Sequence, residues 1–374
     1  MKKHAIIPIF IPHLGCPCKC VFCNQQKITA KEGPVTASQV RDTVERYLST
    51  LQHLDAKDIE IAFYGGSFTA IPVKMQTEYL KIANEYIEAK RVSSLHLSTR
   101  PDCIDRDILD NLKHFNVDTI ELGVQSFDDD VLRMSKRGHD SNCVRQAAKL
   151  ISDYGFKLGI QLMIGLPGDS LKSCIFSAKE AVKLKPELAR LYPTLVIDGT
   201  ELYDMYKAGQ YDALSREEAL LRTKEMYRIL RDADINIMRV GLKSTDIIGD
   251  GTLSAINGGT YHPAFRQLVE GELAYEDLRE KLLALAAKTY ASSHTPNIKY
   301  NADNADFGRD LKLCKRESAE QIKVGIFSHP ASFSNMIGNS GINKIRLKSE
   351  FPCFNIKYGI DKSLSEDTYV AKLK

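Results

Sequence analysis

The chain has 374 residues, of which 43% are hydrophobic and 26% charged, and its formal net charge is +3. This balance is typical of globular proteins and excludes a fibrous repeat or extensive disorder, and the small net charge does not by itself indicate a nucleic-acid partner. The sequence has no run of about 18 apolar residues, so we expect no transmembrane helix and a cytoplasmic location.

The first predicted element is a strand, AIIPIFI at residues 5–11. The lysines before it and its apolar character suggest a signal peptide only superficially. Pro8 and Pro12 interrupt the apolar run and no small-residue cleavage site follows, so a strand is the better interpretation.

A cluster of cysteines follows this strand, in the stretch GCPCKCVFCNQ at residues 15–25. Cys16, Cys20 and Cys23 have the spacing C-x3-C-x2-C, with Cys18 as a fourth thiol between them. Three thiolates can hold three irons of a four-iron cluster and leave the fourth iron open to another ligand. Four nearby cysteines are also compatible with a closed zinc site, although the two separated C-x2-C pairs of a typical zinc ribbon are missing.

Further strands alternate with amphipathic helices from residue 4 to about residue 242. The predicted strands after the first are IEIAFYGG, LHLSTR, TIELGVQS, KLGIQLMIGLPG and LARLYPTLVI, with INIMRVGL as a seventh candidate. This alternation predicts an α/β fold, a partial TIM-type (β/α)6 barrel over residues 1–245. Small and polar clusters such as YGGSFT, STRPD and GLPG end most of these strands, and in such barrels the carboxyl ends of the strands form the active face.

The pattern changes in residues 246–374, which we predict to be a C-terminal extension. It is glycine-rich at first, then helical around RQLVEGELAYEDLREKLLALAAKTY, and then mixed, as expected of a small α+β appendage. The other cysteines are scattered singly, and we interpret them as reduced, small apolar fillers: Cys103, Cys143, Cys174, Cys314 and Cys353.

The cysteine spacing, with Phe22 just before the last ligand, resembles that of the radical S-adenosylmethionine superfamily. The stretches YGGSFT, STRPD, ELGVQSFDDDVL, KRGHD, GLPG and LYPTLVIDGTELYDMYKAGQY are similar to the radical domain of the Elongator catalytic subunit, a tRNA-modifying enzyme. This resemblance implies a 4Fe-4S cluster on Cys16, Cys20 and Cys23, with S-adenosyl-L-methionine as the cofactor that yields a 5'-deoxyadenosyl radical. It also implies a tRNA or another nucleotide-like substrate, and a reducing partner such as flavodoxin or ferredoxin.

The same resemblance implies a set of residues that contact the cofactor, whereas no residue is assigned a catalytic role. Ser98 stands where the relatives tend to have a glutamate, and Gln161 where an oxidase group has an aspartate. Each member also has a structural interpretation, such as a tight turn, a buried polar group or core packing. The implied cofactor residues are Phe22, Gly65, Gly66, Ser67, Ser98, Gln125, Arg137, Gln161, Met163 and Tyr192.

Two other functions are compatible with the sequence. One is a radical enzyme for a porphyrin or another small molecule, like the anaerobic coproporphyrinogen oxidase group, which usually has a further cysteine where this chain has Gln25. The other is a non-enzymatic protein that uses zinc or an iron-sulfur cluster for interaction, suggested by the extra Cys18 and by the serine at position 98. The full Elongator reaction is not expected, because the acetyltransferase domain and its glycine-rich pyrophosphate loop are not found after the barrel.

Overall fold

The computed structural model describes residues 4–11, 16, 18–24, 35–51, 58–242, 256–293 and 322–374. The chain divides into two compact units, Met1–Pro263 and Ala264–Lys374. The predicted boundary between residues 245 and 246 lies outside the described residues, as do Gln25 and Cys314.

A seven-stranded parallel sheet forms the first unit, in the order β1-β2-β3-β4-β5-β6-β8. Each strand pairs with its predecessor in the sheet, as in the wall of a TIM barrel, which confirms the predicted partial barrel and adds β8 as a seventh strand. The strands are β1 (His4–Ile11), β2 (Asp58–Gly65), β3 (Ser94–Thr99), β4 (Thr119–Gln125), β5 (Lys157–Ile164), β6 (Leu188–Pro193) and β8 (Asn236–Val240).

Helices follow most of these strands and cover the side of the sheet that faces away from the barrel interior. Apolar side chains such as Ile61, Phe63 and Leu97 are fully buried, and they alternate with inward-facing polar residues because successive strand residues point to opposite faces. The helices are α1 (Ala37–Leu51), α2 (Val73–Glu88), α3 (Arg106–His114), α4 (Asp129–Met134), α5 (Ser141–Asp153), α6 (Leu171–Lys183), α7 (Glu201–Lys207) and α8 (Arg216–Asp232).

A short antiparallel pair lies beside the sheet in the first unit. Its strands are β7 (Val196–Ile197) and β9 (Ile256–Gly258). Val196 is fully buried, and with Val21, Leu202 and Tyr211 it forms a small apolar cluster. This cluster lies under the cysteine segment and therefore bears on the site described below.

The second unit is a small α+β structure, as expected for the C-terminal appendage. Its sheet has the order β11-β10-β12, and its helices pack on one face around a core that includes Leu278, Val324 and Leu347. The elements are α9 (Phe265–Ser293), β10 (Ile322–Ser328), α10 (Phe333–Ile337), α11 (Ile342–Glu350), β11 (Phe354–Ile360) and β12 (Tyr369–Leu373).

One prediction about the scattered cysteines is wrong. Cys353 is disulfide-bonded, whereas Cys103, Cys143 and Cys174 have free thiols as expected. The spacing of cysteines along a chain does not reveal which of them the fold brings together, so this bond was not predictable from the sequence.

None of the helices within the described part of the chain has the length and apolar character needed to cross a membrane.

Candidate active site

A cavity of about 240 Å³ lies at the carboxyl ends of the barrel strands. The residues that the sequence singled out come together here, since all three predicted cluster ligands and all predicted cofactor residues line the cavity wall. The wall also contains residues that were not singled out: Thr99, Arg100, Gly123, Pro193, Leu195, Ile197 and Leu242.

The cysteine segment is held over the cavity by its own backbone. The Cys23 N–H donates to the Cys20 carbonyl at 3.1 Å, so the C-x2-C spacing forms a tight turn with both cysteines at its ends. Val21, inside this turn, is buried; its N–H donates to the Ser135 carbonyl, and its carbonyl accepts from the Leu202 N–H at 2.8 Å. The turn is thereby fastened to the ends of two helices.

Two guanidinium groups lie against the cysteine sulfurs. Arg137 donates from Nη1 to the Cys20 Sγ at 3.2 Å. Arg100 Nη1 lies 3.8 Å from the same sulfur and 4.0 Å from the Cys16 Sγ. Both arginines are buried, so two guanidinium groups are held against the sulfurs inside the site.

Each of these arginines is held by other partners. Arg100 forms a bidentate pair with Asp102, with both bonds at 2.8 Å, and it also donates to the Arg137 carbonyl. Burial alone would lower the pKa of Arg100, but the Asp102 carboxylate raises it, and the net shift is upward. Arg137 donates to the Gly123 carbonyl and to His139 Nε2. Both guanidinium groups are therefore fixed in position by their hydrogen bonds.

The glycine pair at the end of β2 lies close to the backbone of β1. Gly65 has φ of +102°, and a Cβ at this position would lie 2.6 Å from the Ile11 carbonyl oxygen. The Gly66 N–H donates to that oxygen at 3.2 Å. Positive φ is thus required at Gly65, while Gly66 is not among the glycines with positive φ.

Ser67, the next predicted cofactor residue, takes part in a buried hydroxyl network. Its Oγ lies 2.8 Å from Thr99 Oγ1 and accepts from the Arg100 N–H at 3.0 Å. Thr69 Oγ1 lies 2.6 Å from the same Thr99 hydroxyl. These bonds join the ends of β2 and β3, so Ser67 has a structural role in addition to its place on the cavity wall.

Gln125 and Gln161 bind each other across neighbouring strands. The Gln161 Nε2 donates to Gln125 Oε1 at 2.9 Å, and a longer reciprocal contact spans 3.4 Å. Gln125 has φ of +72° at a bulge in β4, a conformation that is uncommon for a residue with a side chain and often marks a functional site. Met163 and Tyr192 are register partners on β5 and β6 and stand beside this pair.

Ser98 reaches a carboxylate that sequence reasoning missed. Its Oγ donates to Glu121 Oε1 at 2.7 Å, and Glu121 is its register partner on β4. The resemblance leads us to expect a glutamate at position 98, where this chain has a serine. Glu121 on the next strand places a carboxylate beside that position. Glu121 is 2% exposed, and Gly159 makes room for it, since a Cβ there would lie 3.1 Å from the Glu121 Cβ.

Glu121 belongs to a cluster of buried charged groups in the barrel interior. Arg190 Nε lies 2.9 Å from Glu121 Oε2, a close ion pair whose angles do not give a hydrogen bond. His96 lies between Glu121 and Glu60, and its Nδ1 is 3.1 Å from the Glu60 carboxylate. The signal in the sequence was a single ionisable residue inside each of the apolar strands IEIAF, LHLS, TIELG and LARLY. Such residues are rarely buried unless paired.

Cys18 is placed differently from the three predicted ligands. It is not among the described residues that line the cavity, and its Sγ contacts Gly138, where a Cβ would lie 2.2 Å from it. No group of three His, Cys, Asp or Glu side chains in the described ranges is arranged to hold a metal ion. The assignment of Cys16, Cys20 and Cys23 as cluster ligands stays a prediction.

Family models match most of the first unit and continue into the second. The model described as the Radical SAM superfamily matches residues 10–179, and that described as the Radical_SAM C-terminal domain matches residues 186–275.

The chain is similar to several archaeal proteins. It is 28% identical over 296 residues to the tRNA uridine(34) acetyltransferase of Methanocaldococcus infernus, covering 65% of this chain and 54% of that protein. It is 31% identical over 221 residues to an uncharacterized protein of Methanocaldococcus jannaschii, covering 57% of this chain and 67% of the other. The chain spans about half the length of the tRNA uridine(34) acetyltransferases that it matches.

A solved structure shares the fold. The archaeal Elp3 of Methanocaldococcus infernus, with an N-terminal deletion, superposes with a TM-score of 0.57 and 25% identity, covering 75% of this chain and 64% of that chain.

Proposed function

Since the chain belongs to the radical S-adenosylmethionine superfamily, whose enzymes use a 4Fe-4S cluster and S-adenosylmethionine, we propose that it is an Elongator-like radical enzyme that modifies RNA. One observation carries the proposal: the three cysteines and all the predicted cofactor residues line a single cavity at the active face of the barrel. Parallel strands bring their carboxyl ends to one edge of a barrel in any case. What supports a binding site is that this edge encloses a cavity lined by three cysteines, apolar side chains and a few polar groups.

The chemistry of the donor set suits an iron-sulfur cluster, although the described side chains are not grouped around a single metal position. Three sulfurs and one open position are what a cluster needs in order to bind a further ligand, and here Cys16, Cys20 and Cys23 supply the sulfurs. The guanidinium groups of Arg100 and Arg137 at the Cys20 sulfur would offset the negative charge of the bound thiolates. Hydrogen bonds to sulfur and nearby charge are among the means by which a protein tunes the potential of a cluster.

The rest of the wall fits a cofactor with polar and apolar parts. Gln125, Gln161 and the backbone at Gly66 present hydrogen-bonding groups, whereas Phe22, Leu195 and Ile197 present apolar surface. The polar groups would bind and orient a methionyl group and a ribose, and the apolar groups would exclude water from the reacting atoms.

Reductive cleavage of the sulfonium of S-adenosylmethionine, giving a 5'-deoxyadenosyl radical, is the chemistry that a bound and reduced cluster supplies. The exposure of the cysteines suggests where an electron enters, since Cys16 and Cys23 are partly exposed and Cys20 is buried. A reducing partner such as flavodoxin or ferredoxin would therefore dock on the side of Cys16 and Cys23.

A tRNA uridine is the first substrate to test, because relatives of this chain are tRNA uridine(34) acetyltransferases. The proposal concerns the radical step alone, since the matched region covers about half of those relatives. An RNA substrate and a reduced electron carrier both suit the cytoplasm, where we propose that the protein acts.

Anaerobic reconstitution with iron and sulfide tests the proposal. We expect a brown protein that, after reduction, cleaves S-adenosylmethionine to 5'-deoxyadenosine. Alanine at Cys16, Cys20 or Cys23 should abolish both the iron and the cleavage, whereas the control Cys18→Ala should retain them because its sulfur contacts Gly138.

Three results would contradict parts of this proposal. Stoichiometric zinc with no reconstitutable iron would support a structural metal site instead. Loss of iron in Cys18→Ala would overturn the ligand assignment. Cleavage that is stimulated by a tetrapyrrole and not by tRNA would support a porphyrin substrate.

A further inference from the structure

The sheet of the second unit has two faces of different character. Its inner face contributes Val324, Ile326 and Tyr369 to the core beneath the helices. Because strand residues alternate between faces, Phe327 and a set of lysines occupy the other side. We call this surface the outer face and define it by Phe327 with Lys323, Lys357, Lys372 and Lys374.

Register places these side chains close together. Gly325 on β10 pairs with Lys357 on β11 and with Lys372 on β12, so the two lysines stand on either side of the central strand. Phe327, two residues along β10, pairs with Gly359 on β11. The outer face thus has one aromatic side chain on its central strand and lysines on both neighbouring strands.

Two glycines seat the Phe327 ring against the sheet. A Cβ at Gly325 would lie 2.6 Å from Phe327 Cε2, and one at Gly359 would lie 2.8 Å from Cε1. The ring therefore lies across neighbouring strands, over positions where no side chain stands. Glycine inside a strand weakens it and often marks a close approach, which here is the approach of an aromatic ring.

Lysines supply most of the charge on this face. The four lysines are exposed, and within the described part of the chain none of them has a carboxylate at salt-bridge distance. Lys372 and Lys374 place their Nζ atoms 4.7 Å and 5.6 Å from the Phe327 ring centroid. Hydrogen bonds from Ser363 lower the pKa of Asp361, and the charge of Lys372 adds a smaller effect in the same direction, so this acid is close enough to interact with Lys372.

We propose that the outer face binds single-stranded RNA, with a base stacked on Phe327 and phosphates held by the lysines. Aromatic rings on an open sheet and basic groups beside them are the two features by which proteins bind single strands without reading their sequence. This deepens the proposed function and rests on it for the identity of the nucleic acid, because it adds a surface that would hold an RNA substrate outside the barrel.

Phe327 could instead have a purely structural role, in which its ring shields the two glycines from solvent. An aromatic ring placed over a strand glycine can stabilise a sheet. That alternative explains the ring but does not require lysines on the neighbouring strands. The two interpretations differ in what a leucine would do at this position.

Fluorescence anisotropy with a labelled 12-nucleotide uridine RNA and the full-length, cluster-free protein tests the proposal. Phe327→Leu should weaken binding about tenfold at every salt concentration, because leucine fills space without stacking. The double variant Lys357→Gln with Lys372→Gln should also weaken binding, and it should reduce the slope of log affinity against log salt by about 1.4. Phe327→Tyr should restore binding.

Lys348→Gln is the matched control, because Lys348 is an exposed lysine on α11, the helix that covers the other face. It should leave RNA affinity unchanged. Equal losses in this control and in the outer-face variants, or equal binding to phosphatidylserine vesicles, would overturn the proposal. So would a Phe327→Leu protein with normal affinity and a lowered melting temperature, which would leave shielding as the role of the ring.

The failure of this inference can be told apart from failure of the proposed function. Intact cleavage of S-adenosylmethionine with no binding of RNA at the outer face overturns the inference alone. Normal RNA binding by a protein that holds zinc and cannot be reconstituted with iron overturns the radical function alone.

Discussion

Replacing each glycine of the Gly65–Gly66 pair by alanine should separate a structural role from a cofactor role. The two residues are adjacent in sequence, and both line the cavity. Only Gly65 has positive φ, and an added Cβ there would lie 2.6 Å from the Ile11 carbonyl oxygen. The variants therefore have different expected defects.

The structure sets the magnitude for Gly65→Ala. The Ile11 oxygen must retreat by about 0.4 Å or more for the contact to reach 3.0 Å, which endangers the bond from the Gly66 N–H. Backbone strain at positive φ costs about 1–3 kcal/mol, and a lost hydrogen bond costs about 1 kcal/mol. We expect the free energy of unfolding to fall by about 2–4 kcal/mol and the melting temperature to fall by roughly 5–10 °C.

Gly66→Ala should fold normally, because its N–H bond to Ile11 survives the substitution and its φ is not positive. A Cβ there would intrude where the backbone meets the methionyl group of the cofactor. We expect normal cluster assembly and at least a tenfold loss of affinity for S-adenosylmethionine, about 1.4 kcal/mol.

Calorimetric melting and equilibrium dialysis against S-adenosylmethionine, on the same anaerobic preparations, measure both quantities. Unchanged affinity in Gly66→Ala together with a lowered melting temperature would refute this reasoning. So would a Gly65→Ala protein as stable as the wild type, since the steric contact would then be relieved at no cost.

Two further predictions concern buried and titrating groups. Glu121→Gln should lower the free energy of unfolding by about 3 kcal/mol or more, because it leaves Arg190 buried without its counter-charge. The control Glu85→Gln, in an exposed pair with Arg41, should change the free energy of unfolding far less in the same urea titration. Burial and the charge of Arg137 lower the pKa of His139 from 6.5 to about 4. The unfolded chain therefore takes up a proton more readily than the folded protein, so the contribution of His139 to stability is complete above about pH 6.5 and is lost as the pH falls toward 4. The cluster-free protein should lose about 3 kcal/mol of unfolding free energy between pH 6.5 and 4. The assignment of this loss to His139 would be contradicted if the unfolding free energy of the wild type did not change with pH over this range, or if His139→Asn showed the same pH dependence as the wild type.

The strands of the barrel could be predicted from the sequence because their signals are local. Short apolar runs such as IEIAFYGG and TIELGVQS alternate with helical periodicity, and these two proved to be strands within a residue of their expected bounds. The strands predicted in KLGIQLMIGLPG and LARLYPTLVI also form, but β5 and β6 end four residues before the predicted ends. The C-x2-C turn is local as well, since its defining hydrogen bond joins Cys20 to Cys23. A short stretch of sequence is enough to predict a structural element when the interactions that form the element join residues close together in the chain.

The positions on the cavity wall were also predictable, because parallel strands place their carboxyl ends at the same edge of a barrel. Once the strands are known, residues after them must converge, and Ser98, Gln125 and Tyr192 do so. Whether each of them binds the cofactor stays a prediction, since position on a wall does not decide what a side chain contacts.

Partners of these side chains were decided by the tertiary structure alone. Arg137 reaches Cys20 across 117 residues of sequence, and Gln125 pairs with Gln161 instead of standing free. Ser98, which looked like the loss of a carboxylate, bonds to one on the next strand. These contacts depend on the register between strands, and register is fixed by packing over the whole sheet, which no local stretch of sequence encodes.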